Sequence, residues 1–259
     1  LESMPPATQT AALTRTASRS RASDLVELTK LRLSGLVVFT GALGYLFAAR
    51  GAVRPWTLLA TCLGTFLLSG GACALNHWLE ADVDARMRRT RDRPIPAGRM
   101  ASTTVLLFSL GLHAAGAGLL FGAVNSLTAG LGLLAAFVYI ALYTPLKRLT
   151  TLNTLAGAIV GALPPMMGWS AATGTLDTGA YVLGAILFVW QIPHFLAIAW
   201  MYRDDYRRGG LRMLPVVDTT GSTTARMVLL YSLALIPVSL MAFGVRPVGW
   251  LYPVGAMLL

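Results

Sequence analysis

Asn76, Glu80 and Asp84 recur at intervals of four, and arginines follow at positions 86, 88, 89, 91, 93 and 99. On an α-helix, residues at i, i+4 and i+8 drift by only about 40° per step, so an amide and two carboxylates share one face. They span about 12 Å along the axis. Carboxylate and amide oxygens are the ligands of hard divalent cations. Guanidiniums recognise phosphate through paired N–H donors. Side by side, the two sets predict a magnesium–diphosphate site. Arginines alone would not, because the cytoplasmic loops of membrane proteins carry them as topological anchors. The acids are what that simpler account leaves over, since acids contribute little to topology.

Two further stretches could complete such a site. Tyr143-Thr144-Pro145-Leu146-Lys147-Arg148 offers Lys147 and Arg148 to a phosphate, or two more anchors. Tyr202-Arg203-Asp204-Asp205-Tyr206-Arg207-Arg208 sets paired aspartates between arginines, as a second metal position or a salt-bridged loop. The histidines divide. His113 falls within an apolar run and is expected to be packed or hydrogen-bonded there. His77 stands one position off the acidic face and borders it. His194 follows Pro193 near the end of an apolar run, where an ionisable side chain is a functional candidate. Imidazole also ligates haem iron. The alternative for His194 is a histidine satisfied by a neighbouring helix.

Composition says what must hold these residues. Of 259 residues, 55% are hydrophobic and 12% are charged, against about a quarter charged in soluble domains. This predicts an all-α polytopic membrane protein built as one bundle. Apolar spans run over residues 33–49, 56–76, 102–121, 124–143, 152–170, 180–200 and 225–245, and an eighth begins near 248. None alternates apolar with polar as a membrane strand would. Gly157 and Gly161 form a GxxxG step, expected to let helices approach closely. Pro164, Pro165 and Pro193 are expected to bend their helices. Cys62 and Cys73 are read as buried, unpaired small residues. Residues 1–23 are expected to form a disordered basic tail, with one membrane domain over 24–259. A mitochondrial transit peptide has similar composition, and a short bacterial tail is the plainer reading. The apolar stretch ending at Leu259 reads as a truncated product.

Charge sets the orientation. Eighteen of the 21 Lys and Arg residues fall in the N-terminal tail and in the loops after spans 2, 4 and 6. Those segments are therefore expected to face the cytoplasm, or the matrix of a mitochondrion. This bias also accounts for the net charge of +10 without nucleic acid as a partner. Seven of the 11 acids lie in the first and third of these loops, as a metal–diphosphate cap over an apolar pocket would require.

Asn76, Glu80 and Asp84, followed by Arg89-Thr90 and Arg93-Pro94, resemble the N-x-x-x-D-x-x-x-D and R-T-x-x-R-P motifs of the UbiA superfamily of intramembrane prenyltransferases. The later motifs are most similar to its protohaem IX farnesyltransferase (haem O synthase) branch. These are Glu27 to Lys30, Tyr143 to Arg148, Asn153 to Trp169 and Trp190 to Val216, with Pro193-His194-Phe195 and Met213-Leu214-Pro215-Val216. There are departures. Glu80 replaces the commoner aspartate, Leu31 stands where a proline is usual, and Met201 occupies the position four before Asp205.

The resemblance implies a nine-helix bundle, of which this chain would hold about seven and a half. It implies transfer of the farnesyl group of farnesyl diphosphate to a vinyl group of haem B, followed by addition of water to give haem O. In that reading Asn76, Glu80, Asp84 and Asp205 hold Mg2+, with Asp204 as a further candidate ligand. Lys147 joins those four as a catalytic candidate. Arg89, Arg93, Lys147 and Arg148 take the diphosphate, and Tyr143, His194, Tyr202 and Arg203 complete the substrate contacts. The expected partners are the two substrates, the bilayer of a cell inner membrane or the mitochondrial inner membrane, and haem A synthase or oxidase-assembly proteins. Two alternatives stay open: a family member acting on an aromatic or quinone precursor, and a transporter with an acidic ion site. The acids cluster at one membrane face and no repeat is evident, which disfavours the transporter.

Overall fold

The computed structural model describes residues 20–245. Among them every regular element is helical. They are α1 (Arg21–Leu28), α2 (Leu31–Ala49), α3 (Pro55–Leu79), the single turn α4 (Ala81–Asp84), α5 (Ser102–Ala123) and α6 (Ser126–Phe137). A π-helical segment (Val138–Tyr143) follows, then α7 (Thr144–Leu149), α8 (Asn153–Thr173), α9 (Thr178–Met201), α10 (Arg203–Gly209), α11 (Leu214–Val217) and α12 (Ser222–Val245). Seven of the described helices are long and apolar enough to cross a membrane, with α6, the π segment and α7 forming one continuous span. These are the seven spans expected, with ends moved by a few residues. Helices satisfy every backbone group internally, as a bilayer core demands. Leu107, Phe137 and Leu229, all more than half exposed, face outward where lipid would lie. The eighth span, expected from near 248, lies outside the described residues.

The core is organised on α8, the most buried span, which packs on α2, α9 and α6. Its contact with α2 is a backbone-to-backbone approach. A Cβ at Gly44 would collide with the Pro165 carbonyl, and one at Gly168 with the Gly41 carbonyl. The helix runs through Pro164 and Pro165, both buried, although neither can donate to the carbonyl four residues earlier. The GxxxG step is used differently from expectation. Gly157 makes room for the rings of Tyr143 and Phe195, and Gly161 for the side chain of Gln191. The nearest atoms at both glycines belong to side chains, and both glycines line a cavity.

Two local departures position the site. The π segment widens the helix just before Pro145, whose ring would otherwise press on a carbonyl of the preceding turn. Thr144 Oγ1 donates to the Tyr139 carbonyl at 2.8 Å across this widened turn. Of the expected disordered tail, residues 1–19 lie outside the described residues, and residues 21–23 belong to α1. Ser20 caps α1, its Oγ accepting from Ser23 N at 3.2 Å. Buried Asp24 ties α1 to the first charged loop through Arg99 at 2.9 Å. Helix α1 then turns into α2 through Lys30, which has the left-handed angles φ 46° and ψ 58°.

Candidate active site

The acidic face is not one unbroken helix. Helix α3 stops at Leu79, Glu80 caps it, and α4 starts afresh. The break is shallow. Glu80 N donates to Asn76 O at 3.0 Å and Asp84 N to Glu80 O at 2.8 Å, so the helical register carries across and all three side chains line one cavity. All three are 4% exposed or less. Asn76 Nδ2 donates to Glu80 Oε2 at 2.8 Å and to Thr144 Oγ1 at 3.2 Å. Its Oδ1 accepts from Lys30 Nζ at 3.0 Å. Two acceptors on one side and an ammonium on the other fix the amide's orientation.

The carboxylates are held by cations. Lys147 Nζ lies 2.6 Å from both Glu80 oxygens and donates to Oε2. Arg93 donates to Asp84 Oδ2 at 2.6 Å. Asp84 Oδ1 is buried with no hydrogen-bond partner, while Glu80 Oε1 stays in ion-pair contact with Lys147. Unused carboxylate lone pairs on a buried wall are costly unless something takes them. Two carboxylates and a neighbouring amide fit magnesium, which is bound by one or two carboxylates plus substrate phosphates. Among the described residues no three His, Cys, Asp or Glu side chains cluster as an all-protein metal cage, so the remaining ligands would come from substrate and water. Lys30 also lines the cavity. Its exclusion from bulk water pulls the ammonium down to about 8, and Arg93 and Lys147 push the same way.

The cavity measures about 690 Å³, within the range of small-molecule sites. Four cations, Lys30, Arg89, Arg93 and Lys147, and two carboxylates mark one end. The rest of the wall is mostly apolar, with Leu36, Phe39, Met167, Ile186 and Leu187. Tyr139 and Tyr143 stack at 5.5 Å beneath the charged end, and Lys147 Nζ sits 4.9 Å from the Tyr143 ring centre.

Residues 37–259 match the model of the UbiA prenyltransferase family. The chain belongs to that family. It is 45% identical over 245 residues to the protoheme IX farnesyltransferase of Solibacter usitatus, covering 91% of this chain and 84% of the relative. It is 47% identical over 235 residues to that of an Anaeromyxobacter species, covering 91% and 79%. Among solved structures, a UbiA homolog from Archaeoglobus fulgidus bound to DMAPP and Mg2+ superimposes with a TM-score of 0.78 at 15% identity, covering 91% of this chain and 83% of that one. The last likeness establishes the fold.

Within this UbiA chain the predicted site residues divide. Asn76, Glu80, Asp84, Arg89, Arg93, Tyr143, Lys147 and His194 share the cavity wall. The others stand around it. Both Asp205 oxygens accept backbone N–H groups, from Arg88 and Arg89, at 3.2 Å each. Asp205 therefore clamps the third loop to the first and sets the backbone under Arg89. Asp204 is exposed and pairs with Arg207 at 3.2 Å. The expected second aspartate pair is thus split by the turn of α10, which sends neighbouring side chains to different faces. Arg148 is turned outward to Asp82 at 2.6 Å. Desolvation opposes charge on Asp82, but the Arg148 hydrogen bonds outweigh it and hold the carboxyl below its usual range. Tyr202 lies under the Arg89 guanidinium at 4.7 Å, and Arg203 over the Trp200 ring at 4.7 Å. These two steady the rim.

Lys30, Thr90, Tyr139 and Gln191, none of them assigned a role from the sequence, also lie on the cavity wall. Lys30 stood within a matched stretch, Glu27 to Lys30, which was its one signal. Thr90 Oγ1 donates to the Asp84 carbonyl at 3.0 Å and holds the turn that presents Asp84. Of the histidines, His113 bonds the Ser109 carbonyl at 2.8 Å as expected. His77 is buried beside the site and off the cavity wall. Cys62 and Cys73 are free thiols, Cys73 buried as expected and Cys62 only partly so.

Proposed function

We propose that this chain transfers the farnesyl group of farnesyl diphosphate to a vinyl group of haem B, giving haem O and diphosphate. The observation that carries the reading is the 45% identity to a protoheme IX farnesyltransferase over 91% of the chain. Such a span includes the cavity wall as well as the shared acidic motif.

The charged end binds the diphosphate. Glu80 and Asp84, with Asn76 beside them, would hold magnesium, which when bound offsets negative charge on the leaving diphosphate. Lys30, Arg89, Arg93 and Lys147 face the same place and stabilise the charge that develops there as the allylic C–O bond breaks. Lys147 and Arg93 already stand paired with the carboxylates, so their positions are set before substrate arrives. Tyr139 and Tyr143 present ring faces to the allylic carbon, where aromatic faces favour positive charge. The apolar wall below takes the farnesyl chain and excludes bulk water, which would otherwise trap the cation as farnesol. His194 is assigned to the acceptor side.

The protein is a multi-pass membrane protein. Its charged end is assigned to the cytoplasmic face of the cell inner membrane by the excess of Lys and Arg there. Incubating membranes that contain the protein with labelled farnesyl diphosphate, haem B and magnesium is expected to yield a lipophilic haem with the mass of haem O. A prenylated aromatic or quinone product from membrane extracts, with no haem product, would overturn the reading.

A further inference from the structure

Gln191 is one of several polar side chains on the cavity wall that the chemistry above does not use, with Thr40, Thr65 and Ser69. It is 7% exposed, lines the cavity and lies against the notch at Gly161. Among the described residues no hydrogen bond to its amide is formed. A primary amide has two donors and two acceptor positions. Placing one within a membrane span without partners is unfavourable, so a ligand is expected to use it.

Its depth says which ligand. Along α8, Gly157 faces Tyr143 and Phe195, and Gly161 faces Gln191. Four residues of helix place the amide about 6 Å below the aromatic layer that closes the charged end. It is therefore removed from the diphosphate, yet directly beneath the place where the new bond forms. On α9, Trp190 and His194 flank it at i−1 and i+3, and both line the same cavity. The His194 ring is stacked on Trp190 with centroids 5.0 Å apart and planes 14° apart, so its orientation is set by the indole.

The reaction needs a water at that level. When the allylic C–O bond breaks, its electron pair leaves with diphosphate. The vinyl π pair then forms the new carbon–carbon bond, and positive charge moves to the vinyl carbon attached to the porphyrin. That carbon lies two carbon–carbon bonds from the former allylic terminus. A water oxygen must add to it while no water reaches the allylic terminus beforehand. The arrangement calls for one polar anchor set back from the diphosphate in an otherwise dry wall.

We propose that Gln191 holds the water that hydrates this cation and that His194 receives its proton. The inference rests on the haem-farnesylating reading above. Gln191 accepts one water hydrogen at Oε1, which turns a lone pair toward the porphyrin-bound carbon. The carbon–oxygen bond forms, and the second water proton passes to a ring nitrogen of His194, which lines the same cavity. No electron acceptor is involved. Haem B, farnesyl diphosphate and water become haem O, diphosphate and a proton. Without a held water, the cation instead loses a proton from the adjacent carbon and gives an alkenyl haem one water lighter.

The test compares Gln191→Leu, which keeps bulk without polarity, with Gln191→Glu, which keeps the acceptor. Diphosphate release and haem product masses are read together, in ordinary and 18O-labelled water. Gln191→Leu is expected to release diphosphate within threefold of wild type and to shift the product ratio at least tenfold toward the alkenyl haem. Gln191→Glu is expected to keep the labelled hydroxyl product. A wild-type product ratio in Gln191→Leu overturns the assignment. Loss of diphosphate release in both variants overturns it equally, because that marks a packing role. Absence of any haem product from the wild-type protein would instead sink the underlying reading.

Discussion

Lys30 shows how function can be written into a backbone angle. A non-glycine residue in the left-handed region costs about 1–2 kcal/mol, and its amine is also held out of bulk water. Glycine would suit this turn better, so the side chain is what keeps lysine there. Lys30→Gly is expected to leave thermal stability unchanged or slightly raised while the KM for farnesyl diphosphate rises about tenfold or more, the scale of a lost charged hydrogen bond. A fall in stability without a change in KM would make Lys30 a structural residue. Asp84→Asn is expected to cut turnover by about a hundredfold or more, as loss of charge from a preorganised site does. Wild-type activity at limiting magnesium would remove Asp84 from the metal site. The acids were legible in the sequence because their spacing is a property of one helix. Lys30 was not, because its meaning depends on a contact with Asn76, 46 residues away. The arginines were legible as a group and not singly. Arg89 and Arg93 face the cavity, while Arg99 clamps α1 through Asp24. A comparison that takes Arg99 as inert would mislead, and exposed Arg91 is the better control. Alanine at Arg89 or Arg93 should weaken diphosphate binding, alanine at Arg91 should not, and calorimetry on the three decides it.

At the scale of elements, small residues do two different jobs on the two halves of α8. Toward Thr173 they admit another backbone, with Gly168 against Gly41 and Pro165 against Gly44. Toward Asn153 they admit side chains, and those side chains form the cavity wall. Gly168→Ala is therefore expected to destabilise the bundle by about 1–3 kcal/mol, since neither backbone can retreat. It should be visible as a lower melting temperature in detergent. Gly157→Ala presses instead on the Tyr143 and Phe195 rings at 3.0 and 3.2 Å, which can rotate. It should lower turnover at nearly constant melting temperature. Equal stability losses in the two variants would show that the notches are not distinct. The small-residue step at Gly157 and Gly161 is legible in the sequence, where its spacing suggests helix approach. The error is physical: a small-residue spacing shows that one helix face is recessed, and the partner that fills the recess lies elsewhere in the chain. The π segment was illegible for a similar reason, since Pro145 signals only that a helix is disturbed and not how the disturbance resolves.

Across the whole molecule the two ends of the bundle differ in kind. One end gathers the charged loops, joined by Glu80–Lys147, Asp82–Arg148 and the Asp205 clamp. At the other, Tyr45 meets the Arg54 backbone at 3.3 Å, and Thr128 meets Ser170 at 2.8 Å. The number of spans and their order were legible from apolar runs alone. Span ends were less so, because the fourth span continues as α7 beyond its apolar stretch to carry Lys147. The orientation read from charge makes a demand on the folded protein: the acid-rich loops must be reached from the cytoplasm. Ala52 and Asp204 are both exposed, lie in loops at opposite ends and do not line the cavity, so a cysteine at either should leave turnover intact. The native Cys62 and Cys73 sit within α3, the latter 3% exposed, and give a low background. A membrane-impermeant maleimide is expected to label Asp204→Cys in inside-out vesicles and Ala52→Cys in right-side-out ones. The reverse pattern would turn the molecule over and place the diphosphate end outside. Labelling of both from one side would contradict an odd number of crossings between residues 52 and 204, and with it the span count on which the orientation rests.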